Sequence, residues 1–130
     1  MLESTTTSKN GYETVTRLNN TDLIIDAGSE TEPSPTETLL ASYAACYTVA
    51  LRIGTQQQDV DTLGRVEINA EADRDTENDL EAIRFAVAVE SDLDAETLAA
   101  IVERANDLCH VHDALRKELH ADVTIRGNAV

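Results

Sequence analysis

Two cysteines, Cys46 and Cys109, are the residues of this sequence best suited to covalent chemistry. A thiolate is a nucleophile and a metal ligand, whereas a buried thiol is only a small hydrophobe. Cys46 lies in the middle of an apolar segment, with Leu39, Tyr43, Tyr47 and Ala50 near its face. Cys109 ends a second apolar stripe formed by Leu98, Ile101, Val102, Ala105 and Leu108. Two cysteines are too few for a disulfide scaffold, which leaves inert core filler or redox chemistry. The redox reading needs a peroxide-reactive thiolate at Cys46 and a resolving thiol at Cys109. Their distance along the chain neither supports nor excludes contact, because the fold decides it.

Other chemistry is sparsely represented. The run Cys109-His110-Val111-His112 offers thiolate and imidazole, both good zinc ligands. A structural zinc takes four ligands, however, and the only further histidine is His120, so no metal is expected. An imidazole there could instead serve Cys109 as acid or base, with a solvated loop end as the plain alternative. No glycine-rich phosphate loop or Ser-His-Asp arrangement is present, and no cofactor is expected.

These residues must be positioned by a small α+β domain. An N-terminal stretch, residues 1–11, reads as a flexible lead, with one domain over 12–130. Tyr12–Leu18 and Asp22–Ala27 flank the turn signal Asn19-Asn20 and form a hairpin. Ser34-Pro35-Thr36-Glu37 begins a helix: Ser34 caps it, Pro35 takes the first helical position and Glu37 completes a capping box. The helix continues to about Gln57 or Gln58, and from Thr38 onward its only charge is Arg52. A helix apolar on all sides is buried on all sides, and so small a chain would need a second copy to cover it. A homodimer is therefore expected.

Arg65–Asp73 and Glu81–Ser91 alternate as strands, with Val66, Ile68, Ala70 and Ala72 facing one way, as do Ile83, Phe85, Val87 and Val89. Asp94 caps the second long helix, and Leu93 and Leu98 are placed as a hydrophobic staple. A helical turn at Asp113–Glu118 leads to a last strand through Ala121, Val123 and Ile125. The order is ββ-α-ββ-αα-β, with antiparallel-rich sheets around a buried central helix.

Composition narrows the function. The 130 residues carry 25 Asp+Glu against 10 Lys+Arg, a formal charge of -15, which argues against nucleic acid and anionic membranes as partners. The basic residues are eight Arg and only Lys9 and Lys117; a Lys-poor, acidic surface suits a salty interior, where screening relieves self-repulsion. Stability is accordingly expected to rise with ionic strength. No signal peptide or membrane span is read, so a cytoplasmic protein is expected.

The block S-P-T-E-T-L-L-A-S-Y-A-A-C at Ser34–Cys46 resembles the first-cysteine motif of the OsmC/Ohr family, the osmotically inducible and organic hydroperoxide resistance proteins. A-N-D-L-C-H-V-H-D-A-L at Ala105–Leu115 is similar to its second-cysteine motif, and the element order agrees from about Tyr12 to Arg126. The resemblance implies an intertwined homodimer that reduces organic hydroperoxides. Cys46 would be the peroxidatic thiolate and Cys109 the resolving thiol, with an external dithiol (lipoyl or thioredoxin-like) reducing the disulfide. A non-enzymatic dimer that binds a small hydrophobic ligand or senses redox state is the alternative.

The sequence departs from the family pattern in two places. Thr36 stands where the peroxidases carry glutamate, with Glu37 one residue later, and His110 replaces the usual proline. Nine helical residues put Glu37 about 13–14 Å along the axis from Cys46 and on the opposite side, so within one straight helix the two do not meet. The catalytic arginine of the peroxidases comes from an early strand or loop, where Arg17 is the only arginine. Arg52 is the other basic candidate, or simply a cation near a helix C-terminus.

Overall fold

The computed structural model describes residues 1–130. The chain divides into two compact units, Met1–Leu39 and Leu40–Val130. In the first unit, β1 (Thr5–Thr7), β2 (Glu13–Leu18) and β3 (Thr21–Asp26) form an antiparallel sheet in that order. Asn19 and Asn20 both take positive φ, 46° and 67°, between the paired Leu18 and Thr21. This is the two-residue hairpin geometry that asparagine tolerates better than most residues. The short β1 lies inside residues 1–11, which the sequence reads as a flexible lead, and pairs with β2.

Polar contacts organise the loop after β3. The Asp26 carboxylate accepts from the backbone N–H groups of Gly28, Glu30 and Thr31 at 2.9–3.4 Å. These hydrogen bonds, the Gly28 N–H foremost, hold its carboxyl below the usual range despite the opposing desolvation. Helix α1 (Pro35–Gln56) then starts with the expected capping box. The Glu37 N–H donates to Ser34 Oγ at 3.2 Å, and the Ser34 N–H donates to Glu37 Oε1 at 3.0 Å.

In the second unit, β4 (Val66–Arg74), β5 (Leu80–Val89) and β6 (Asp122–Arg126) form a sheet in that order. The β4–β5 pair is antiparallel, and β6 joins β5 in parallel. A parallel partner needs a crossover, here supplied by α2 (Ala95–Leu108), α3 (His110–Ala114) and a 3-10 turn (Lys117–Leu119). Asp94 caps α2 as its sequence indicates, accepting from the Thr97 N–H at 2.8 Å. The helical turn expected at Asp113–Glu118 is instead split. Leu115 and Arg116 are extended, with ψ of 147° and 153°, so α3 stops at Ala114 and the 3-10 turn starts afresh at Lys117.

The core gathers Tyr43, Tyr47 and Leu51 from α1, Ile83, Phe85, Val87 and Val89 from β5, Leu98, Ile101 and Ala105 from α2, and Cys109. The alternation of β5 is thus realised as a buried face. Helix α1 is not covered all round within one chain. Tyr43, Tyr47, Ala50, Leu51, Gly54 and Thr55 are buried, but Val49 is 58% and Ile53 40% exposed. No helix is long and apolar enough to cross a membrane.

Candidate active site

The two cysteines meet in the second unit. Both are free thiols, with Cys109 buried and Cys46 half-buried. Cys46 projects from the middle of α1, and Cys109 sits at the junction that closes α2 and opens α3. The Cys109 N–H still donates to the Ala105 carbonyl at 3.0 Å, as the last bond of α2. Its sulfur accepts from the His112 N–H at 3.5 Å, as the cap of α3. This double duty fixes the Cys109 backbone on both sides.

The environments of the two sulfurs differ in sign. Burial works against ionisation at Cys46. The backbone N–H of Val111, the Cys109 thiol and the backbone N–H of His110 all donate toward its sulfur, and together they hold its thiol below the ordinary value. At Cys109, burial pushes the thiol up to about 11, and its hydrogen bond to Cys46 adds to the rise. Of the two thiols Cys46 is therefore the one that loses its proton first, with the Cys109 thiol beside it to stabilise the charge. Such an arrangement gives a nucleophile on the more accessible sulfur and a protonated thiol beside it.

Aromatic groups wall the buried side of the pair. Tyr43 and Tyr47 are both 0% exposed and pack on Phe85, with ring centroids 4.6 and 5.3 Å away. Their hydroxyls are not stranded. Tyr47 donates to Asn106 Oδ1 at 2.7 Å, while Tyr43 meets His112 Nδ1 at 2.5 Å and accepts from the Ala121 N–H at 2.9 Å. Burial raises the pKa of both phenols, so they stay neutral.

The known proteins most informative about this arrangement share its fold. The OsmC-like protein family matches residues 28–124, about three quarters of the chain. The chain belongs to the OsmC-like family. An uncharacterised protein of Haloferax volcanii is 48% identical over 128 residues, covering 98% of this chain and 97% of that protein. Among solved structures, an OsmC-like protein from Mycoplasma pneumoniae superimposes with a TM-score of 0.86 at 15% identity, covering 98% of this chain and 96% of that one. The organic hydroperoxide resistance protein OhrB of Bacillus subtilis gives 0.73 at 20% identity, with 97% and 98% covered. An organic hydroperoxide resistance protein from Legionella pneumophila gives 0.76 at 18%, with 96% of each chain covered. At these identities the structural matches establish the OsmC-like fold.

The remaining residues singled out from the sequence have partners of their own. Arg17 lies on β2 and pairs with Asp22 across the hairpin at 3.1 Å, both side chains being more than half exposed. Glu37 completes the box at Ser34 and also accepts from Ser29 Oγ at 2.7 Å. Arg52 donates to the Gly64 carbonyl at 3.0 Å, tying α1 to the turn before β4. Sequence reasoning missed the donors that act on Cys46, because the amides of His110 and Val111 have no side-chain signature. The Tyr43–His112 contact was also missed. The odd second histidine of His110-Val111-His112 was its only trace.

Proposed function

We propose that this OsmC-like protein is a thiol-dependent peroxidase for organic hydroperoxides. What carries the reading is that Cys46 packs against the core cluster that holds Cys109 in a chain of the OsmC-like family, with surroundings that shift the two thiols in opposite directions. The Cys46 thiolate attacks the distal oxygen of the hydroperoxide and the O–O bond breaks. Cys46 becomes a sulfenic acid, and the alkoxide takes a proton and leaves as the alcohol. The Cys109 thiol then displaces water from the sulfenic sulfur, giving a Cys46–Cys109 disulfide. An external dithiol, of lipoyl or thioredoxin-like chemistry, reduces that disulfide by exchange and is itself oxidised.

The names of the Bacillus subtilis and Legionella pneumophila proteins support the substrate class. In this reading the protein works as a cytoplasmic homodimer, the second copy covering Val49 and Ile53, and needs no metal or cofactor. By the family resemblance Arg17 is the candidate for a further catalytic cation and Glu37 for a carboxylate, and within this chain each is engaged by a partner of its own.

The deciding experiment measures consumption of tert-butyl and cumene hydroperoxides against hydrogen peroxide, with dihydrolipoamide as reductant. Sustained turnover that favours the organic peroxides is expected. Oxidation that stops after one equivalent, despite the dithiol, would instead make the protein a redox sensor or ligand-binding module.

A further inference from the structure

The three groups that hold the Cys46 thiolate, namely the Cys109 thiol and the His110 and Val111 amides, all belong to one short segment. Helix α3 is five residues long, too short to hold its own conformation in water. Its closing bonds, from the Asp113 N–H to the Cys109 carbonyl at 3.0 Å and from the Leu115 N–H to the Val111 carbonyl at 3.2 Å, provide barely one turn. Something outside the segment must therefore keep these donors on the sulfur.

His112 is the one buried residue of α3, 9% exposed in a segment whose His110 and Asp113 are exposed. Its Nδ1 meets the hydroxyl of Tyr43, which stands on α1 three residues before Cys46. The direction of this bond follows from proton accounting. The Tyr43 oxygen already accepts from the Ala121 N–H at 2.9 Å, and the only other polar atom on it is His112 Nδ1. A fully buried hydroxyl proton needs an acceptor, so Tyr43 donates and Nδ1 carries the lone pair. His120 braces the opposite side. Its ring stacks on His112 with centroids 3.8 Å apart and planes 27° from parallel, and its Nε2 donates to the Leu115 carbonyl at 3.0 Å.

We propose that His112 is a positioning residue for the Cys46 thiolate, its Nδ1 accepting the Tyr43 hydroxyl and so latching α3 onto α1. The latch keeps the Cys109 thiol and the two amides aimed at the Cys46 sulfur. This role rests on the peroxidase reading for its purpose, but the latch itself is defined by the thiolate it maintains. It closes only with a neutral imidazole. A second proton would turn Nδ1 into a donor facing a hydroxyl that has nowhere else to give its own proton. The groups around the ring are Tyr43 and Tyr47 from α1, His120 beyond the 3-10 turn, and Cys109 and Asp113 from its own stretch. Burial and the neighbouring His120 press its pKa below 6.5, against the opposing Asp113 carboxylate, so the latch is closed at neutral pH.

The test follows thiolate absorbance near 240 nm against pH in the full-length reduced protein, with thermal unfolding as a control for folding. Wild type should show a first thiolate step below the ordinary cysteine value. His112→Leu and Tyr43→Phe should each raise that step by about one pH unit, slowing iodoacetamide alkylation of Cys46 at pH 7 by about threefold, since the roughly tenfold loss of thiolate is partly offset by its greater intrinsic nucleophilicity. His112→Asn, whose amide oxygen can accept from Tyr43, should recover most of the loss. Tyr43→Phe keeps the ring, so it carries the test should His112→Leu not fold. Wild-type midpoints in both His112→Leu and Tyr43→Phe would overturn the role and leave the peroxidase reading intact. Equal shifts in His112→Leu and His112→Asn would also overturn it, since ring volume rather than the acceptor would then matter. A wild-type thiol step at the ordinary value would remove the peroxidase reading together with the latch.

Discussion

Cys46 and Cys109 are the same chemical group held in two different ways. Cys46 stands mid-helix on α1, where the backbone amides of its own helix are spent on i→i-4 bonds. Its donors must come from elsewhere, and they come from the start of α3. Cys109 stands at a junction, where its own backbone and sulfur are both tied into the ends of helices. Burial dominates at Cys109 and pushes its thiol up to about 11, whereas donors win at Cys46. The comparison teaches that what favours ionisation of Cys46 is supplied by the second-cysteine segment and not by the apolar helix that carries Cys46. It also explains how the site gains a stabilised thiolate even though Arg52 is engaged with the Gly64 carbonyl.

The largest test of this asymmetry removes each sulfur in turn. Cys46→Ser should abolish hydroperoxide turnover, a loss of at least about a thousandfold, because a serine hydroxyl is not ionised at neutral pH. Cys109 should then remain largely unoxidised when one equivalent of cumene hydroperoxide is added and thiols are counted by mass spectrometry. Cys109→Ser should still react once and then stall, with Cys46 passing from sulfenic to sulfinic acid under excess peroxide. If Cys109 oxidises as fast without Cys46 as with it, the two roles are wrongly assigned.

A milder test leaves both sulfurs in place and varies the pH. The thiols lie on opposite sides of the reference value of 9.0, with Cys109 near 11. Below both steps, a gap of at least about two units gives Cys46 about a hundredfold more thiolate. The more acidic thiolate is intrinsically the weaker nucleophile, which takes back about tenfold for a Brønsted slope of about 0.45. Alkylation at pH 7 should therefore label Cys46 at least about ten times faster than Cys109. The preference should shrink as pH rises toward 11 and Cys109 ionises. Peptide mapping of singly labelled protein checks the order, and an equal split would remove the asymmetry.

Much of this arrangement was legible in the sequence, and the part that was not has a common cause. The Ser34 box, the Asp94 cap, the Asn19-Asn20 turn and the strand alternation are local codes, each written within four to ten residues. All appear where they were read. The meeting of Cys46 and Cys109 was legible only through the resemblance, since spacing in the chain carries no information about it. Donors from backbone amides were invisible because any residue type supplies an N–H. The Tyr43–His112 latch was invisible because its halves lie on different elements and each looks ordinary alone. The split between α3 and the 3-10 turn follows from Leu115 and Arg116 adopting extended backbone, which no proline or glycine announces.

The smallest expected effect concerns Cys109 as a cap rather than as a thiol. Its sulfur receives the His112 N–H at 3.5 Å, a long and weak bond from a poor acceptor. Serine is among the preferred residues at a helix N-cap, so Cys109→Ser should hold the start of α3 at least as well. Against that gain stands the burial of a hydroxyl in a site that is 1% exposed, which costs about 1 kcal/mol unless the hydroxyl proton finds an acceptor. The neighbouring Cys46 sulfur can take that proton as it takes the Cys109 thiol's. The two terms nearly cancel, and the melting temperature of Cys109→Ser should lie within a few degrees of wild type. Alkylating Cys46 first removes the acceptor, and the same variant should then become less stable than equally alkylated wild type. A Cys109→Ser protein that loses several kcal/mol before alkylation would show that the serine hydroxyl has no partner, and hence that the charge on Cys46 is not where the hydrogen bonding places it.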